Sequence, residues 1–122
     1  MIGANVWVIA DGWIPPGSTG PAPDMTSHDS ACMVNPNDDP AEVELTVYFE
    51  DREPVGPYRL TIPARRVCHR RFNDFTDPEP IPHGTDYSVV IRSSRPIVVQ
   101  HTRLDSRQAA NALMTTIAHA AG

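Results

Sequence analysis

Two stretches of the chain concentrate side chains that can do chemistry. ARRVCHRRFND, residues 64–74, sets Arg65, Arg66, Arg70 and Arg71 around His69 and continues to Asn73. QHTRLDSRQ, residues 100–108, places His101, Arg103, Asp105 and Arg107 at every second position. Residues two apart project to one side of an extended chain, so the second stretch aligns an imidazole, a carboxylate and two guanidinium forks. Such a row suits a polar pocket for sugar hydroxyls or a carboxylate, and it suits equally a salt-bridge ladder on a sheet surface. In the first stretch, strict alternation sends Arg65, His69 and Arg71 to one face and Arg66 and Arg70 to the other, so neither face is plainly apolar. Three uses compete: a charged sheet edge that blocks unwanted pairing, a subunit interface where arginines meet carboxylates, and an anion-binding face. The plainest alternative is that these charges pair with the chain's own fifteen acids, since an arginine forced into an interface without a partner is too costly.

An aromatic face is the third resource, because a flat ring can cover the C–H side of a sugar. Trp7 and Trp13 fall on one parity with Ile9 and Asp11. Val6, Val8 and Ala10 take the other parity, which reads as the core side and sends the tryptophans to a second surface. The five histidines are scattered, with no HExxH and no close pair, so no metal site is expected. There is no glycine-rich phosphate loop and no GxSxG elbow. Cys32 and Cys68 belong to no Cys-x-x-Cys pair and read as reduced structural thiols. No catalytic residue and no cofactor emerges, and a binding or scaffold role is favoured over an enzyme.

The elements that must position these groups are short strands. Residues 5–14 are rich in Val, Ile and Trp, and the Pro- and Gly-rich loop after them excludes both helix and ladder. Residues 28–34 read as a second strand, closed by the turn NPNDDP. AEVELTVYFE alternates Val43, Leu45, Val47 and Phe49 with polar neighbours, the period of a strand with one buried face. Residues 58–72 read as extended, with Pro63 at a bulge, bend or edge position. YSVVIRS and PIVVQHTRLD, separated by Ser94 and Arg95, read as a hairpin. The last segment has the alanine content of a short helix, yet LMTTIAH is β-compatible, and it reads as strand or mixed. Six to eight short strands predict an all-β, single-domain antiparallel β-sandwich over residues 1–122.

At 122 residues the chain has the size of one domain. Its net charge of −5 argues against a duplex nucleic-acid binder, so DNA comes last among the partners. No apolar run reaches the ~18–20 residues of a membrane helix, and the N-terminus lacks the basic region of a secretory signal. A cytoplasmic protein without membrane insertion is expected.

Four longer stretches carry a resemblance: WVIADGWIPP at 7–16, EPVGPYRLTIPARR at 53–66, RFNDFTDPEPIPHGTDY at 71–87 and PIVVQHTRLDSRQAANALMTTIA at 96–118. Through them the chain resembles the soluble sensory-rhodopsin transducer family over nearly its whole length. That resemblance implies a β-sandwich assembled as a homotetramer. It also implies a non-enzymatic cytoplasmic signalling adaptor that meets the cytoplasmic face of a membrane photoreceptor, a sensory rhodopsin. The alternative it leaves is a sugar- or small-metabolite-binding module, with a DNA-binding regulator behind it. Arg65, Arg66, His69, Arg71, Asn73, His101, Arg103, Asp105 and Arg107 fall in matching stretches and become the ligand or interface candidates.

Overall fold

Alternation decides the first strand to consider. In Ala41–Phe49 the residues Val43, Leu45 and Val47 are buried while Glu42 and Glu44 face water, as the period of two requires. The computed structural model describes residues 1–122 and has eight strands, numbered in chain order: β1 Ala4–Gly12, β2 His28–Asn35, β3 Ala41–Phe49, β4 Val55–Ile62, β5 Arg66–Arg71, β6 Tyr87–Asp105, β7 Ala112–Ile117 and β8 His119–Ala120. A single 3-10 turn, Phe72–Asp74, is the only helical element.

All pairings are antiparallel. One sheet runs β4-β3-β6-β1-β8 and the other β5-β2-β6-β7, so β6 belongs to both. Its first half pairs with β3 from Tyr87 to Ser93, and its second half pairs with β2 from Val98 to Leu104. Between them the register against β1 jumps from Val6↔Arg92 to Ala4↔Ile97. Pro96, which has no N–H to give a ladder, sits in this corner, where a bend lets a strand change sheets. The result is a β-sandwich whose two layers share one strand.

Two sequence expectations need correction here. YSVVIRS and PIVVQHTRLD do not form a hairpin but are one continuous strand of 19 residues. Tight two-residue hairpins need positive φ, usually from Gly or Asn, and neither Ser94 nor Arg95 adopts it. The extended run 58–72 is divided at Pro63 between β4 in one sheet and β5 in the other. Arg65 makes the crossing with φ of 51° and donates its N–H to Asn37 O at 3.0 Å. The alanine-rich C-terminus, which reads as strand or mixed, forms β7 and β8: the β-branched Thr115, Thr116 and Ile117 suit a pleated surface better than a helix.

The core is a cluster of 21 buried residues drawn from both sheets. Its aromatic corner joins Tyr58 to Phe75 (ring centroids 5.4 Å apart), Phe75 to Phe72 (6.2 Å) and Phe72 to Tyr87 (5.7 Å), within the range of favourable edge and offset contacts. Asn35 on β2 is wholly buried. Its amide donates to Asp39 O, Ile62 O and Pro63 O, and its Oδ1 accepts from the backbone and side-chain amides of Asn37. One side chain thus pins the turn before β3 and the end of β4 to β2.

Candidate functional site

The strand β2 points alternate residues inward, and Asp29 shares that parity with Ala31 and Met33. Its carboxylate is 0% exposed, a position that charge tolerates only with several partners. Oδ2 accepts the Tyr87 hydroxyl at 2.6 Å and the Trp13 N–H at 2.9 Å. Oδ1 lies 2.5 Å from His101 Nε2 and 3.4 Å from Arg103 Nε. The Arg103 contact is electrostatic, since its buried Nε makes no hydrogen bond. A carboxylate beside Nε2 places the imidazole proton on that nitrogen and leaves Nδ1 as an acceptor. The Tyr87 hydroxyl is held well above its usual pKa, first by burial and then by the charge of Asp29 and the hydrogen bond to it. Gly12 makes room for this ring, because a Cβ there would stand 2.3 Å from Tyr87 Cε1.

Around this node the predicted residues divide. His101 and Arg103 do share a side of β6 and both reach Asp29, as period two requires. Arg103 also donates to Asp11 O at 2.6 Å. Asp105 and Arg107 instead form a forked pair with each other, at 2.9 and 2.7 Å. That hydrogen-bonded pairing holds the Asp105 carboxyl below its ordinary pKa and raises that of Arg107. Asn73, on the 3-10 turn, donates to Ser27 O at 3.0 Å and accepts the Asp29 N–H at 3.4 Å. Below it Ser27 and Ser106 exchange hydroxyl contacts, and Ser106 donates to Met25 O.

The aromatic face is corrected in part. Trp7 is turned into the core at 5% exposure, with its indole N–H shared between Ala4 O and Ile97 O, while Val8 is only half-buried and Ala10 is exposed. The parity of β1 is therefore the reverse of that expected from its small residues: a large ring fills space between sheets that they cannot. Trp13 lies near the surface, beneath the guanidinium groups of Arg107 at 4.8 Å and Arg103 at 5.9 Å, both within cation–π range.

The arginine cluster disperses. Arg65 stands 3.8 Å from Asp38 and is the one of the four within ion-pair distance of an acid. Arg66 turns back on the carbonyls of Ala64 and Arg65, Arg70 covers the Phe75 ring at 5.6 Å, and Arg71 donates to Pro23 O. Balance by the chain's own carboxylates is therefore corrected for three of them, since no acid lies opposite them in the sheet: β5 pairs only with β2, across from Ser30, Ala31 and Asn35. His69 is exposed and joins Val67 on the outer face of its sheet.

That outer face runs across four strands. Register sets Val67 against Val34, Val34 against Val98, Cys32 against Gln100, Thr102 against Thr115 and Gln100 against Ile117. Leu113 and Ile117 are exposed there, as are Val67 and Val34. Arg71 at one end is its only ionic group, and Cys32 on this face is a free thiol. On the open side of the sandwich lies a second feature, a cleft of about 310 Å³ between β1 (Val8–Asp11) and the β7–β8 segment (Thr116–His119), with His101 in its wall. Sequence reasoning missed Asp29 and gave Tyr87 no role at the site. The inward parity of an acid in HDSACMV is the signal that marks Asp29 as a group needing internal partners.

No curated protein sequence matches the chain. Among solved structures, the Anabaena sensory rhodopsin transducer is 61% identical and superposes with a TM-score of 0.77, over 88% of this chain and 94% of that one. A Thermotoga maritima protein designated 1070 is 36% identical with a TM-score of 0.86, over 99% of this chain and 97% of that one. The family model described as Anabaena sensory rhodopsin transducer matches residues 2–120. With both its sequence and its shared-strand sandwich matching, this chain belongs to the sensory rhodopsin transducer family.

Proposed function

We propose that the protein is a non-enzymatic signalling adaptor that works in the cytoplasm as a homotetramer and relays the state of a sensory receptor, a rhodopsin where one accompanies it. The observation that carries the assembly is the outer face of β5-β2-β6-β7. Four strands about 4.8 Å apart, each contributing about six residues at about 3.3 Å, span roughly 300–400 Å². A face of that extent, uncharged except at its Arg71 end and with aliphatic side chains standing in water, matches the largest patch of a typical protein surface, which is often functional. Copies meeting through it bury Val34, Val67, Leu113 and Ile117 without burying an ion pair. The arginines of β5 then lie at the rim, where charge sets partner choice and association rate more than affinity.

Light scattering coupled to size exclusion tests this reading. The native protein is expected at four times its chain mass, and Val67→Asp, which places a charge in the face, is expected to elute as a smaller species with unchanged circular dichroism. A monomeric native protein, or a Val67→Asp variant of undiminished mass, overturns it.

A further inference from the structure

The cleft between β1 and β7–β8 exists because β8 pairs with β1 only at Trp7 and Val8. Beyond them Ile9, Ala10 and Asp11 have no strand on that side, and the opening reaches down to His101. The walls are apolar, from Val8, Ala10, Ile117 and Ala118, and the polar groups are few. His101 is 3% exposed and gives Nε2 to Asp29. Its Nδ1 has no partner in the protein, yet it is not among the sealed polar atoms, so this nitrogen is where the ring meets the cleft. Thr116, opposite His101 across the β6–β7 ladder, lies on the same wall. Asp11 at the rim is 87% exposed in its side chain, with its nearest cation, Arg103, 4.0 Å away.

We infer that this cleft binds a small organic amine: a protonated nitrogen carried on an apolar body. Asp11, His101 and Thr116 each offer an acceptor there, and His119 at the β8 end presents an imidazole with one acceptor and one donor nitrogen. Asp11 accepts as an anion, His101 Nδ1 accepts because Asp29 holds the ring's proton on the far nitrogen, and Thr116 accepts through its hydroxyl. A carboxylate or phosphate ligand meets Asp11 as a like charge, and a neutral alcohol forgoes the charge-assisted bond. The volume is at the lower end of small-molecule sites, enough for a ligand of modest size. The net charge of −5 draws cations toward the protein. The inference does not rest on tetramer formation: the amine site lies in the seam between sheets and shares only Ile117 with the outer face of the sheet.

The probe is phenethylamine, compared with its isosteres 2-phenylethanol and 3-phenylpropionate, titrated into ¹⁵N-labelled protein at pH 8, where an ordinary imidazole is neutral. Saturable shifts are expected at the amides of residues 8–11 and 116–119 and in the His101 ring, with the amine binding at least about tenfold tighter than either isostere, the scale of one charge-assisted contact. Asp11→Asn is expected to remove that preference. Ala10→Leu, an exposed substitution on the cleft wall, is expected to abolish binding while leaving the fold intact. Absence of saturation by all three compounds overturns the inference, as does equal binding of the amine and the carboxylate, or amine binding that Ala10→Leu leaves unchanged.

Discussion

Tyr87 lies against the buried carboxylate of Asp29, and a second negative charge beside the first has no partner to receive it. The phenol ordinarily titrates at 10.0, and in the folded chain it titrates higher. Above pH 10 the unfolded chain gives up this proton while the folded chain keeps it. The stability is therefore fully present below pH 10 and falls as pH rises, by up to about 1.4 kcal/mol per pH unit. Tyr58, raised by burial and then by Glu79, adds to the same limb. Urea titrations between pH 8 and 11 are expected to show a shallower alkaline loss in Tyr87→Phe than in the native protein, and parallel curves would remove Tyr87 from that role. At this scale the sequence was legible where spacing carries direction. His101 and Arg103 meet one carboxylate because two residues separate like faces. Arg107 misses it because the strand ends at Asp105 and the chain beyond no longer obeys the period, and Asp105, itself an acid, takes Arg107 as its partner. The arginines of β5 were readable as charge but not as partners, since nothing local tells an edge strand which neighbour it will face.

Strands here are joined by side chains as much as by ladders. Asn35 makes contacts at three backbone carbonyls and with Asn37 from a fully buried position. Truncation leaves several of those groups unsatisfied, and each buried orphan costs about 1–3 kcal/mol. Asn35→Ala is expected to lose about 2–4 kcal/mol in chemical denaturation, with a Leu substitution no better because the need is polar. A loss under about 1 kcal/mol would show that water replaces the amide. The misread elements have a common cause. Pattern gave extended structure over 58–72 and 87–105 correctly, but whether a chain continues, turns or changes sheet depends on which distant strand receives it. Ser94-Arg95 looked like a connection because it is polar, yet the local backbone continues past it to a corner set by β1 and β2.

Across the whole molecule, the strand count and the antiparallel class were visible in the spacing of turn residues, while the sharing of β6 between sheets was not, because it rests on contacts between residues far apart in sequence. The uncharged outer face of β5-β2-β6-β7 was hidden for a related reason. Val34, Val67, Val98 and Ile117 come from four strands, and no one of them alone looks unusual. If that face is covered by further copies, unfolding is coupled to dissociation, and the melting temperature must rise with protein concentration. Calorimetry across a hundredfold dilution is expected to show this dependence in the native protein and to lose it in Val67→Asp; a concentration-independent melt for the native protein would speak against obligate assembly.

The double membership of β6 also governs how relatives of this chain can differ in length. Inserting one residue into a strand turns every later inward side chain outward, so a codon gained within 87–92 or 98–104 would expose the core of one sheet while the other stayed in register. The corner at Ser93–Pro96 already absorbs a register jump against β1, and there an extra residue alters only the bend. Length drift in this fold should therefore collect in the loops and at that corner, leaving the two halves of β6 constant in length even where their residues change.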